Sequence, residues 1–179
     1  MIRRLDRRGL RGFLDGLGLA PPLDTGHLVE RLTESRGRPL RLIDHPIQMP
    51  GPFGCWIATP TTDYVVYQRE TTPAHQAHIV LHELGHIIAG HDRSGVGDLG
   101  DLVPPAESSR LIRAHPEIDR DSADRALTRN AYTCRQEREA ESIATILTSW
   151  SVPDPAAVDD GSTGVLGRLE ASMRDTRWT

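Results

Sequence analysis

The chain has 179 residues, 37% of them apolar and 4% aromatic, enough for one modest core built from Leu, Ile, Val and Ala rather than for two independent domains. A net charge of −4 supplies no basic field for nucleic acid, so no direct nucleic-acid contact is expected. No apolar run approaches the ~18 residues of a membrane helix, and the two cysteines, Cys55 and Cys134, form no CxxC pair, so the expectation is a soluble, cytoplasmic protein with reduced thiols and no membrane partner.

Taken in order, residues 3–19 carry Leu5, Leu10, Phe13, Leu14 and Leu17 at helical spacing, with Arg3, Arg7 and Arg11 on one solvated face. A second helix follows Pro21-Pro22, with Asp24 or Thr25 as its cap, Leu28, Val29 and Leu32 as its apolar stripe and Gly37 as its stop. Leu40–Ile43, Gly54–Thr59 and Asp63–Gln68 read as strands, the last two joined at hairpin length by Pro60-Thr61-Thr62. A small antiparallel or mixed sheet therefore precedes the next helix.

That helix starts with Thr72 as cap and Pro73 at the first helical position, and runs to Ala89 before Gly90. Residues 92–109 form a long polar loop rich in Gly and Pro. Short helices are predicted at Ser109–Ala114 and Asp121–Leu127, and a longer one at Arg135–Trp150. The main domain is thus expected over 1–152, followed by a linker and a helical tail over 153–179. The fold class is α+β.

The helix from Pro73 contains His82-Glu83-Leu84-Gly85-His86, an HExxH motif. Residues four apart lie one above the other on a helix, so His82 and His86 can aim both imidazoles at one tetrahedral ion, with Glu83 at the edge of the site as general base. Chance produces this motif in roughly 2% of shuffled chains of this composition, and here it sits between the apolar runs Ile79-Val80-Leu81 and Ile87-Ile88-Ala89. A polar pair embedded in such a helix is costly unless satisfied.

A third histidine ligand six residues after His86 is absent, since Ala89 and Asp92 occupy the positions where that arrangement needs Gly and His. A carboxylate from the later helix is the alternative. Glu137 and Glu141 are one turn apart and share a face, whereas Glu139 points elsewhere. Glu137 is assigned as the third metal ligand and Glu141 as the residue that orients a ligand histidine.

The segments HELGHIIAGH (82–91) and EREAESIATILTSW (137–150) resemble the ImmA/IrrE family of gluzincin-type metallopeptidases, most closely its short actinobacterial members. In place of the family's Met-Pro after the Leu pair this chain has Thr148 and Ser149. The resemblance spans about residues 22–150. It implies a zincin-like fold, with a small sheet packed on the HExxH helix and on a second, Glu-bearing helix. It also implies Zn2+ held by His82, His86 and Glu137, and site-specific cleavage of a helix-turn-helix transcriptional regulator that relieves repression.

In this reading Glu83 takes the proton of a water activated by zinc and passes it to the leaving amine. Tyr132, Arg129 and His115 are candidates for stabilising the oxyanion, and His78, on the face of His82, for lining the cleft together with Tyr132. His91 is read as a helix C-terminal cap, His75 as satisfied or exposed, and strand 63–68 as the edge that pairs with an extended peptide. The alternative is a zinc-binding regulator, or a toxin–antitoxin-like component, that sequesters its partner without cutting it.

Overall fold

A computed structural model of the chain describes residues 6–48, 52–91, 105–127 and 132–151. Among these residues it is a mixed α+β fold of six helices and a three-stranded sheet. Helix α1 (Arg7–Gly16) starts at Asp6, whose carboxylate accepts from the Gly9 amide at 2.8 Å, and α2 (Thr25–Arg36) starts at Asp24 and stops at Gly37. Strands β1 (Leu40–His45), β2 (Gly54–Ala58) and β3 (Asp63–Gln68) follow. Then come α3 (Pro73–Ile88), α4 (Pro105–Ala114), α5 (Arg120–Ala126) and α6 (Cys134–Ser151). Thr72 caps α3 and Pro73 opens it, as their chemistry requires. None of the described helices is long and apolar enough to cross a membrane.

The sheet order is β1-β3-β2. The hairpin is antiparallel, with Cys55 opposite Val66, and Thr59 and Thr62 close its turn through backbone and hydroxyl bonds. The sheet is mixed rather than purely antiparallel, because β1 runs parallel to β3, with Leu42 opposite Val65. This corrects the role expected for strand 63–68. As the central strand it has both edges paired, so an added peptide cannot pair there, and among the described residues β1 and β2 are the edges.

Placing β3 at the centre explains its run Tyr64-Val65-Val66-Tyr67. Successive residues point to opposite faces, and both faces are covered. Val65 and Tyr67 join Leu40 and Trp56 in the core with α1, α2, α3 and α6, while Tyr64 and Val66 join Ile43, Cys55 and Ile57 against α4 and α5. Helix α4 begins at Pro105, so the expected loop ends earlier than predicted; its Leu111 is buried in the second of these cores. Residues 153–179, with the expected linker and tail, lie outside the described residues.

At the start of β3, Asp63 is fully buried and accepts from Trp56 Nε1 at 3.0 Å and Arg36 Nε at 2.9 Å, and it forms an ion pair with Arg38, whose Nε lies 3.3 Å away. Arg38 also donates to the Thr59 carbonyl. One carboxylate thus ties α2 to the hairpin. Replacing Asp63 by Ala leaves an indole N–H and the Arg36 guanidinium without their acceptor and Arg38 without its counter-charge, and should lower unfolding free energy by about 3 kcal/mol. Urea denaturation checks this, and a loss below about 1 kcal/mol would make the cluster a surface-type ion pair.

Helices α3 and α6 cross at a point of backbone contact. A Cβ on Gly85 would lie 2.9 Å from the Ala140 carbonyl oxygen and 3.2 Å from the Ala140 Cα. Only glycine gives α3 this approach. Ala140, Ile143, Ala144 and Leu147, all fully buried, complete the seam.

Candidate metal centre

The close crossing of α3 and α6 brings His82 and His86 from one helix against Glu137 from the other. His82 Nε2 lies 3.1 Å from His86 Nε2 and 3.2 Å from Glu137 Oε2, and His86 Nε2 lies 3.7 Å from that same oxygen. Each of these atoms can offer a lone pair to a cation when it carries no proton, and they face one another. An ion in tetrahedral coordination with bonds of ~2.0–2.1 Å separates its ligand atoms by about 3.3 Å, so the triangle has the dimensions of three corners of such a site. His82, His86 and Glu137 can therefore hold a metal ion.

The surroundings orient these groups. Glu141, one turn beyond Glu137, places Oε2 3.3 Å from His82 Nδ1, and its other oxygen 3.2 Å from His78 Nε2. Tyr132 stacks on the His86 ring, with centroids 3.6 Å apart and planes inclined by 17°. Glu83 is buried beside the start of β2, where a Cβ on Gly54 would meet Ile79 Cγ2 at 2.5 Å and sit 3.4 Å from Glu83 Oε1. Among the described residues, β2 has a strand partner on one side only, and that strand is β3.

Not every sequence candidate belongs here. His75 bonds to Thr71 Oγ1 at 2.9 Å and its ring meets Phe53. His115 lies against His45, 5.8 Å between ring centroids, on the face of the sheet covered by α4 and α5, so it is not a donor to this site. Arg129 lies outside the described residues. His91, expected as a helix cap, is buried with Nδ1 3.0 Å from His86 Nδ1 and Nε2 3.5 Å from Glu139 Oε2. Glu139 does turn away from Glu137 and Glu141, but toward His91. The sequence reading missed this pair. The signal available was Glu139 beside the core residue Ala140, since a carboxylate there needs a partner.

The electrostatics follow from burial and contact. Burial holds His86 down to about 4, against the opposing pull of the Glu137 carboxylate. The hydrogen bond with His82, then the close His86 ring, hold the Glu137 carboxyl down to about 2 despite its partial burial. For His82, burial favours the neutral ring, but the hydrogen bond to Glu137 and the charges of Glu83 and Glu137 outweigh it and raise its pKa. The centre thus holds an ionised carboxylate and a neutral, unprotonated His86, the states that bind a cation.

These shifts give the metal-free protein a defined acid response. Between pH 6.5 and 4 the unfolded chain binds a proton at His86 that the folded chain refuses, so stability falls as pH falls through that window. Glu137 adds a further loss from pH 4.5 toward 2. His82 acts oppositely, its contribution being present below 6.5 and lost as pH rises through its raised value. With chelator present, the melting temperature should drop from pH 6.5 to 4, and His86→Gln should flatten that drop. An equal slope in the variant would place the acid sensitivity elsewhere.

The described fold and site thus define a class, an α+β protein with a His-His-Glu centre built across two packed helices. No family model, no curated protein and no solved structure matches this chain.

Proposed function

We propose that the protein is a zinc-dependent endopeptidase that cuts a regulatory protein such as a helix-turn-helix repressor and so relieves repression. The observation that carries this reading is the ligand triangle with Glu83 following the first of its histidines. A His2Glu set with nitrogen and carboxylate donors at tetrahedral spacing suits zinc best among common ions. Zinc bound there would activate a water and polarise the scissile carbonyl.

The chain's own residues would do the rest. Glu83, buried between α3 and the start of β2, would take the water's proton and deliver it to the leaving amine. Edge strand β2 begins beside that carboxylate, and its outer side would offer backbone groups to an extended peptide, which would run alongside and present a peptide bond at the centre. Glu141 and Tyr132 hold the two histidine rings in place. The resemblance of HELGHIIAGH and EREAESIATILTSW to the ImmA/IrrE segments supports the same assignment and suggests a regulator as substrate.

The test is co-expression with a helix-turn-helix transcriptional regulator, one encoded beside this gene where there is one, reading the regulator's intact mass with wild type and with Glu83→Gln. A fragment that appears with wild type alone supports proteolysis and locates the cut. An intact regulator that co-purifies equally with both proteins would replace cleavage with sequestration.

A further inference from the structure

Behind the ligand triangle, on the side of His86 away from His82, lies a second line of contact that the hydrolytic reading does not use. Helix α3 ends in a Schellman turn. Gly90, at φ +65°, donates to the Ile87 carbonyl at 3.1 Å, and the His91 amide donates to the His86 carbonyl at 3.0 Å. This turn folds the chain back so that the residue after glycine lies over the residue five positions earlier. A Schellman turn commonly places an apolar contact there. Here the contact is imidazole on imidazole.

The three groups in line are enclosed. His86 is 1% and His91 7% exposed, and the Glu139 side chain only 12%. The two Nδ1 atoms, 3.0 Å apart, must share one proton, because two bare nitrogens repel and two N–H groups clash. If His91 donates it, His86 has a bare Nδ1 and, as a neutral ring, carries its proton on Nε2, the atom that faces His82 and Glu137. A ring in that state cannot ligate through Nε2. If His86 donates it, Nε2 is bare and faces the site. Glu139 decides between these states, since a carboxylate 3.5 Å from His91 Nε2 favours a proton on that nitrogen and leaves His91 Nδ1 as the acceptor.

We propose that His91 and Glu139 are positioning residues that fix the tautomer of His86: Glu139 accepts from His91 Nε2–H, His91 Nδ1 accepts from His86 Nδ1–H, and His86 is presented to the ion through Nε2. This rests on the metal-binding reading of His82, His86 and Glu137. The two ligand histidines are then supported differently, His82 by Glu141 directly and His86 by Glu139 through one intervening ring. Tyr132, stacked on His86, restrains the ring plane.

The experiment uses the full chain labelled with 15N-histidine, titrated with zinc, and read by long-range 1H–15N correlation. Expected are Nδ1–H with metal-shifted Nε2 for His86, and Nε2–H with bare Nδ1 for His91. In parallel, zinc affinity is measured by competition with a chromophoric chelator. His91→Phe, which keeps a ring but removes the acceptor, should weaken zinc binding by roughly 10- to 100-fold. Glu139→Leu should weaken it in the same direction, and Glu139→Gln, whose carbonyl still accepts, should restore it.

A protonated Nδ1 on His91 in zinc-loaded wild type overturns the proposal, and so does a folded His91→Phe that binds zinc within about threefold of wild type. The wild-type spectrum decides the matter if a variant does not fold. Failure of wild type itself to bind zinc removes the metal reading, a result distinct from wild-type binding that ignores His91 and Glu139.

Discussion

Wild-type protein should bind one zinc ion per chain, and His82→Ala, His86→Ala or Glu137→Ala should each weaken that binding by roughly 10²- to 10³-fold. The magnitude follows from dividing the ~10–16 kcal/mol of a four-ligand zinc site among its ligands. His86→Ala should lie at the severe end, because it also removes the stacking partner of Tyr132 and opens a buried hole. Glu141→Ala removes no ligand but removes the contacts to His82 Nδ1 and His78 Nε2, and should cost roughly 10- to 100-fold. Metal content after dialysis, together with chelator competition, reads all four variants. Equal affinity of wild type and Glu137→Ala would remove α6 from the ligand set.

The second large effect concerns Glu83. Its replacement by Gln keeps the volume and the buried position beside Gly54, but the amide cannot take a proton. General acid–base catalysis contributes about 10²- to 10⁴-fold, so the rate of regulator cleavage should fall by that factor while zinc affinity stays near wild type. The separation of these two readouts is the diagnostic point. Loss of zinc binding along with activity would mark Glu83 as structural support for the helix. Undiminished cleavage would move the general base to another group.

Much of this centre was legible in the sequence because its parts are local. His82 and His86 are four apart on one helix, and Glu137 and Glu141 are four apart on another, so each pair declares a shared face before any tertiary structure is known. The caps at Asp24 and Thr72 and the hairpin turn are local too. What escaped was decided between distant segments. The parallel pairing of β1 with β3 depends on which strand enters the middle of the sheet, and no feature of Leu40–His45 states that. The meeting of His91 with Glu139 needs the Schellman turn and the crossing of α3 and α6 at once. Asp63, read only as the first residue of a strand, proved to be a buried junction for α2 and the hairpin.

The contact of Gly85 with Ala140 has one more consequence. The ligand atoms are carried on side chains that can flex, but the separation of the two backbones that bear them is set by the missing Cβ at position 85. His82 and His86 flank that position, and Glu137 lies one turn before Ala140. Gly85 therefore works as a calliper: it sets the aperture of the ligand triangle before any ion arrives. A methyl group there would act as a shim, spreading the jaws without touching a single ligand. The final x of this HExxH, which on a motif view accepts any residue, is in this chain the position that sizes the opening.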